Sequence, residues 1–155
     1  MKVNALVAGS LVVLSLVSVN ANAETGTAEA LMKVVKGLSV ATNSNLIFDE
    51  AISGAAAETV PHGSSEDDKN ASFMITGEAN RNITVNLPGN GLVVMTNGGA
   101  TADDQIPVNS FTSNNPTALD GNGNAELFVG ATRDALTPTQ NGGDYATTFD
   151  VEVIY

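Results

Sequence analysis

The chain has 155 residues, no cysteine, no tryptophan and a single histidine, and its 17 acidic residues far outnumber its 6 basic ones. Such an acid excess opposes binding to nucleic acid or to an anionic membrane. The missing residue types remove a thiol nucleophile, a histidine pair for zinc and any disulfide, so packing alone must hold the fold.

Met1 to Ala23 reads as an export signal: Lys2 precedes the apolar run Ala5 to Val17, and Ala21-Asn22-Ala23 supplies an A-x-A cleavage site. The run is short for a bilayer span and no second one follows, so no membrane span is expected. Residues 24–155 then form one domain, with five basic residues against seventeen acidic ones and a net charge of −12.

Thr25 to Thr42 is read as extended rather than helical. Gly37 and the valines weaken a helix, and Ala28, Ala30, Met32, Val34, Leu38 and Val40 share one parity. Short apolar runs follow at LIF (Leu46 to Phe48), SFMIT (Ser72 to Thr76), ITVNL (Ile83 to Leu87), LVVMT (Leu92 to Thr96), PVNSFT (Pro107 to Thr112) and AELFV (Ala125 to Val129). Between them lie Pro88-Gly89-Asn90-Gly91, Asn97-Gly98-Gly99, Asp120 to Asn124 and Asn141-Gly142-Gly143, all turn chemistry. The last run, GGDYATTFDVEVIY, puts Tyr145, Thr147, Phe149, Val151, Val153 and Tyr155 on one face of a strand. About seven or eight short strands with frequent turns make an all-β antiparallel sandwich the expected fold.

His62 sits between Pro61 and Gly63 in the polar stretch Pro61 to Asn70, where a solvated side chain is the simpler reading than a base or a ligand. Asp120 to Phe128 offers oxygen ligands at Asp120, Asn122 and Asn124. The sixth and twelfth loop positions are Ala125 and Ala131, however, so a turn into AELFV is expected instead of a calcium loop. Glu66-Asp67-Asp68 and Asp103-Asp104 read as solvated acidic tips. The patterns Asn70-Ala71-Ser72 and Asn82-Ile83-Thr84 match a glycosylation acceptor by spacing alone. No catalytic set, cofactor site or metal site is expected.

The ordered series LSVATNSNLIF, SFMITGEANRNITVNLP, SFTSNN, ALDGNGNAELFVG and GGDYATTFDVEVIY resembles an uncharacterised family of small exported bacterial domains with a pilin-like, immunoglobulin-like sandwich. The chain departs from that pattern at Asp49, where the family tends to have Gly. Its ending is also similar to that of subunits exported by the chaperone-usher route, in which a Gly about a dozen residues ahead of a near-terminal Tyr marks the last strand. Here Gly143 precedes a Tyr155 that is last rather than penultimate.

That resemblance implies a sandwich completed by a donated strand, first from a periplasmic chaperone at an outer-membrane usher and then from a neighbouring subunit, which builds a surface filament. It further implies an acceptor edge at Gly143, Tyr145, Phe149, Val151, Val153 and Tyr155, and a donor segment within residues 24–36 carrying Ala28, Ala30, Met32 and Val34. About five uncovered apolar side chains would then cost about 8–15 kcal/mol. The competing expectation is a self-complete secreted binding domain that contacts carbohydrate or protein through loops such as Pro61 to Asn70 or Ala100 to Gln105.

Overall fold

The computed structural model describes residues 25–155, and the expected export signal lies outside them. The chain divides into two units, Met1–Lys33 and Val34–Tyr155. Residues 25–33, the described part of the first, carry no secondary structure, and Leu31 and Met32 are 87% and 86% exposed.

Eight strands form in the second unit: β1 (Ser39–Ser44), β2 (Glu58–Val60), β3 (Ala71–Thr76), β4 (Thr84–Asn86), β5 (Val93–Thr96), β6 (Gln105–Ser113), β7 (Asn124–Arg133) and β8 (Glu152–Ile154). One 3-10 turn, Ala102–Asp104, leads into β6. The larger sheet runs β1-β3-β7-β6-β5, with β2 joined to the end of β7, and β4 pairs with β8 in a small second sheet. Every pairing is antiparallel. The fold is all-β and sandwich-like.

Alternation in the sequence fixes which face is buried. Ala71, Phe73 and Ile75 on β3 lie on one face with Leu127 and Val129 of β7, and meet Ile83 and Leu119 in the main core cluster. Val85 of β4 and Val153 of β8 stand opposite one another in register and cover that cluster from the second sheet. A second cluster, Val93, Val108 and Ala131, lies toward β5. Phe149 joins the two: its ring stands edge-on to Phe73 at 6.3 Å and tilted against Phe111 at 5.1 Å.

The other face of β3 and β7 is closed by the loop before β3. Asn70, with no exposed surface, donates through Nδ2 to the carbonyls of His62 and Ser65 at 2.7 and 2.8 Å and accepts from the Asp67 N–H. Asp67 in turn accepts from the backbone of Asn70 and Lys69, which holds its carboxyl below the usual range. The loop is therefore tied to itself around a buried amide, not merely solvated as its composition suggests. The same burial takes Asn70 out of consideration as a glycan acceptor. His62 turns its Nδ1 to the Gly63 carbonyl at 2.6 Å.

At Asp120 the expected turn forms. Its carboxylate accepts from the N–H groups of Asn122 and Asn124, both at 2.8 Å, and Gly123 follows at φ +82° to start β7. Each Asn-Gly pair in the described chain is tied at a turn. Asn90 accepts from the Ser110 N–H, Asn97 from the Gly99 N–H, the Gly123 N–H donates to the Asp120 carbonyl, and Asn141 donates to Asp104.

Three expected strands do not form as written. Leu46 to Phe48 is outside every strand, residues 25–38 are not paired in any sheet, and the long C-terminal strand shrinks to Glu152–Ile154 plus one bridge from Ala146 to Thr96. The alternation still holds side chain by side chain. Leu46, Phe48, Phe149, Val151 and Val153 are half-buried, while Ile47, Asp150 and Glu152 face out. What is missing is a neighbour to pair with.

Candidate functional site

The two extended segments that lack sheet partners face each other across one cleft. Asn45 to Ala51 forms one wall and Asn141 to Phe149 the other, over a floor that includes Phe73, Met95, Ile106 and Val108. The cleft measures about 1200 Å³.

Backbone hydrogen bonding explains why these walls are open. In an extended chain successive N–H groups point to opposite sides. On the first wall, Ile47 N–H donates to the Lys69 carbonyl at 2.8 Å and Asp49 N–H to the Glu58 carboxylate at 3.0 and 3.2 Å. Leu46, Phe48 and Glu50, which alternate with them, make no backbone pairing among the described residues. On the second wall, pairing stops at the Thr96–Ala146 bridge and resumes only at β8, so Thr147 to Val151 are likewise unpaired in the backbone. Two unfilled edges above an apolar floor have the form of a slot for one extended strand.

Each wall is braced by polar side chains. Glu58 ties the first: besides the Asp49 N–H, it accepts from Nε of the buried Arg133 at 3.2 Å, while Lys69 bridges Asp49 and Glu58. Pairing with Asp49 also raises the Lys69 pKa. A polar knot ties the second. The Tyr145 hydroxyl accepts from Gln140 Nε2 at 3.0 Å and Asn97 Nδ2 at 3.2 Å, and lies 2.9 and 2.7 Å from the carbonyls of Asp103 and Asn141. Beside it, Asp104 accepts from the Thr101 hydroxyl and N–H and from Asn141 Nδ2, and these bonds hold its carboxyl at about 2. Asp103 accepts from the hydroxyls of Thr137 and Thr139. The Asp103-Asp104 pair is thus structural, not a solvated tip.

The proposed acceptor residues do not share one role. Gly143 is exposed at φ +148°, where the wall bends; Tyr145 enters the knot; Phe149, Val151 and Val153 pack on the core; and Val153 is already paired with Val85. Tyr155, at the far end, lies away from the cleft and accepts from the Glu78 N–H at 2.7 Å, with the Arg81 guanidinium 5.0 Å over its ring. Tyr145, Phe149, Val151 and Val153 are partly buried and Tyr155 is 39% exposed, so the chain itself already covers part of the apolar surface that the expectation left fully uncovered. Of the proposed donor residues, Ala28, Ala30 and Met32 belong to the first unit and are exposed, and Val34 is 77% exposed at the start of the second.

The first wall and both braces were not anticipated as site elements. Leu46 and Phe48 carried a signal in their alternation, but Gln140, Asn97 and Glu58 carried none. Among the described residues no cluster of three or more His, Asp or Glu could hold a metal ion, and no helix is long and apolar enough to cross a membrane.

A family model, the domain of unknown function DUF4402, matches residues 37–155. No curated protein and no solved structure matches the chain.

Proposed function

The chain belongs to the DUF4402 family, and from that premise we propose that it is an exported structural subunit of a surface filament, assembled by adding a strand from one subunit to the sandwich of the next. The observation that carries this reading is the cleft between Asn45 to Ala51 and Asn141 to Phe149, whose walls offer unpaired backbone above an apolar floor. A strand seated there would turn both segments into sheet and cover Phe149. Such a contact joins unlike surfaces, so it propagates head to tail. A periplasmic chaperone and an outer-membrane usher would hold the slot filled until assembly.

The alternative, a self-complete binding domain that works through its loops, has less support. The carboxylates of Asp67, Asp103 and Asp104 are engaged by the protein's own donors. The reading is tested by imaging the surface of cells that export the protein, with gold-labelled antibody, beside cells lacking the gene. Thin labelled fibres that disappear with the gene are expected. Diffuse label on a fibre-free surface would refute it.

A further inference from the structure

We infer that the wall segment Thr147 to Phe149 is a strap with a second seat: it pairs onto the free outer edge of β5, through Val94 and Thr148, and closes the gap between them. The inference concerns this wall alone and does not depend on what fills the cleft.

The seat is vacant and in register. Thr96 and Ala146 exchange two backbone hydrogen bonds, both at 3.1 Å, so the strap is already anchored antiparallel to β5 at one end. Continued along the chain, that register sets Met95 opposite Thr147, Val94 opposite Thr148 and Val93 opposite Phe149. Residues two apart in a strand turn their backbone groups to the same side, so Val94, like Thr96, offers its N–H and carbonyl to the outer edge. Its β6 neighbour Pro107 has no N–H, and the Pro107 carbonyl accepts from the Asp134 N–H at 3.0 Å. Neither backbone group of Val94 has a partner among the described residues. Thr148 is its counterpart: the N–H is unpaired, and the carbonyl meets only the Thr147 hydroxyl, at 3.5 Å.

The side chains already suit the paired arrangement. Val93 belongs to the second core cluster, and both Met95 and Phe149 pack against it. Pairing would keep Phe149 beside Val93 on the inner face and put Thr148 beside Val94 on the outer one, so no side chain changes face.

The space to be closed is also present. A gap of about 370 Å³ lies where the missing rungs would be, lined by Leu87, Pro88, Leu92, Val93, Thr148 and Phe149. Val93, Thr148 and Phe149 line the main cleft as well, so the strap is the partition between two spaces. Seating it on β5 closes the gap and draws the wall away from Asn45 to Ala51, which widens the cleft. β4 cannot claim the strap instead. Its register with β8 would bring Pro88 opposite Asp150, and Pro88 has no N–H to give. The far end is held where β8 begins, by the Asn86 Nδ2 bond to Glu152 at 2.8 Å. The five residues between the two tethers, Thr147 to Val151, are the moving part.

The chain has no cysteine, so the paired seat can be trapped directly. Opposed residues of an antiparallel hydrogen-bonded pair lie about 5.5 Å apart at Cα, within reach of a disulfide, whereas diagonal neighbours at about 7–8 Å are beyond it. The purified double variant Val94→Cys, Thr148→Cys is oxidised mildly at high dilution beside Val94→Cys, Asp150→Cys, whose second position is two residues out of register. An intrachain disulfide is expected to form at least tenfold faster in the first. Proton NMR of the unsubstituted chain supplies a second readout that no cysteine can disturb: an Overhauser contact between the α-protons of Val93 and Phe149, which the paired ladder brings together. Equal rates in the two variants, or absence of that contact, overturn the inference. Cells without fibres would reject the filament reading on separate grounds, since neither measurement involves a second molecule.

Discussion

The Tyr155 hydroxyl donates to the carbonyl of Lys36, at 2.6 Å, across 119 positions of the chain. It joins the last residue of the closing segment to the residue at which the N-terminal segment becomes part of the sheet domain. The same oxygen accepts from the Glu78 N–H, and a Cβ on Gly77 would strike it. Tyr155 thus clasps Lys36 and Glu78 instead of lining the cleft.

Tyr155→Phe keeps the ring under Arg81 and removes both hydroxyl bonds. It should lower stability by about 1 kcal/mol, read as a shift in urea midpoint without change of slope. Hydrogen exchange should rise at Glu78. An unchanged midpoint and unchanged exchange would show that the clasp contributes nothing in solution.

Gln140 is buried and donates to the carbonyls of Asp103 and Gln105 as well as to Tyr145. Gln140→Ala leaves these acceptors without their donor at the foot of one cleft wall, and should cost about 1–3 kcal/mol in thermal or chemical unfolding. If the cleft takes a strand, cells exporting the variant should also carry fewer labelled fibres at temperatures where it remains folded.

Asp104 supplies a pH dependence whose sign follows from its bonds. Its carboxyl is held at about 2, below the ordinary aspartate value of 3.8, by the Thr101 hydroxyl first and then by Asn141. A depressed folded-state value stabilises the fold above the unfolded value, and that contribution fades as pH falls from about 4 toward 2. Urea midpoints measured across that range should drop for the native chain and drop less steeply for Asp104→Asn, which should be the weaker protein at pH 7. Asp67 and Asp120 are shifted the same way by backbone donors, so the difference between the two curves isolates Asp104.

Gly143 and Gly130 separate strain from crowding. At Gly143 a Cβ would meet only Asn97 at 3.4 Å, but φ is +148°. Gly143→Val should therefore cost about 1–3 kcal/mol through the backbone and hinder assembly by moving the wall. At Gly130 a Cβ would collide with the carbonyl of Val60 and the backbone of His62. Gly130→Ala should destabilise by a similar amount without touching the cleft. Comparing unfolding with fibre assembly on cells for the two variants distinguishes these effects.

Much of the architecture was legible because strand periodicity and turn chemistry are local. Ala71–Thr76, Thr84–Asn86 and Asn124–Arg133 lie where alternation and the Asp120 turn put them. Glu58–Val60 escaped notice because three residues give too short a period, and its place depends on Arg133, 75 positions away from Glu58. Leu46 to Phe48 and Thr147 to Val151 are the instructive pair. Their side chains alternate as strands require, yet a strand is defined by its neighbour, and composition cannot say whether a neighbour exists. The Tyr145 knot was invisible for a related reason: Asn97, Asp103, Gln140 and Asn141 look like turn residues until the fold brings them together.

The tied turns bear on how the protein ages. An asparagine followed by glycine is the sequence most prone to lose its amide, because the next backbone nitrogen can curl back onto the side chain. The chain holds four such pairs, at Asn90, Asn97, Asn122 and Asn141. In the fold, either the asparagine side chain or the following N–H is occupied at each. Closing the ring that precedes amide loss requires breaking that bond first. Chemical damage at these sites therefore records time spent unfolded rather than time elapsed, and it accumulates where a turn has opened.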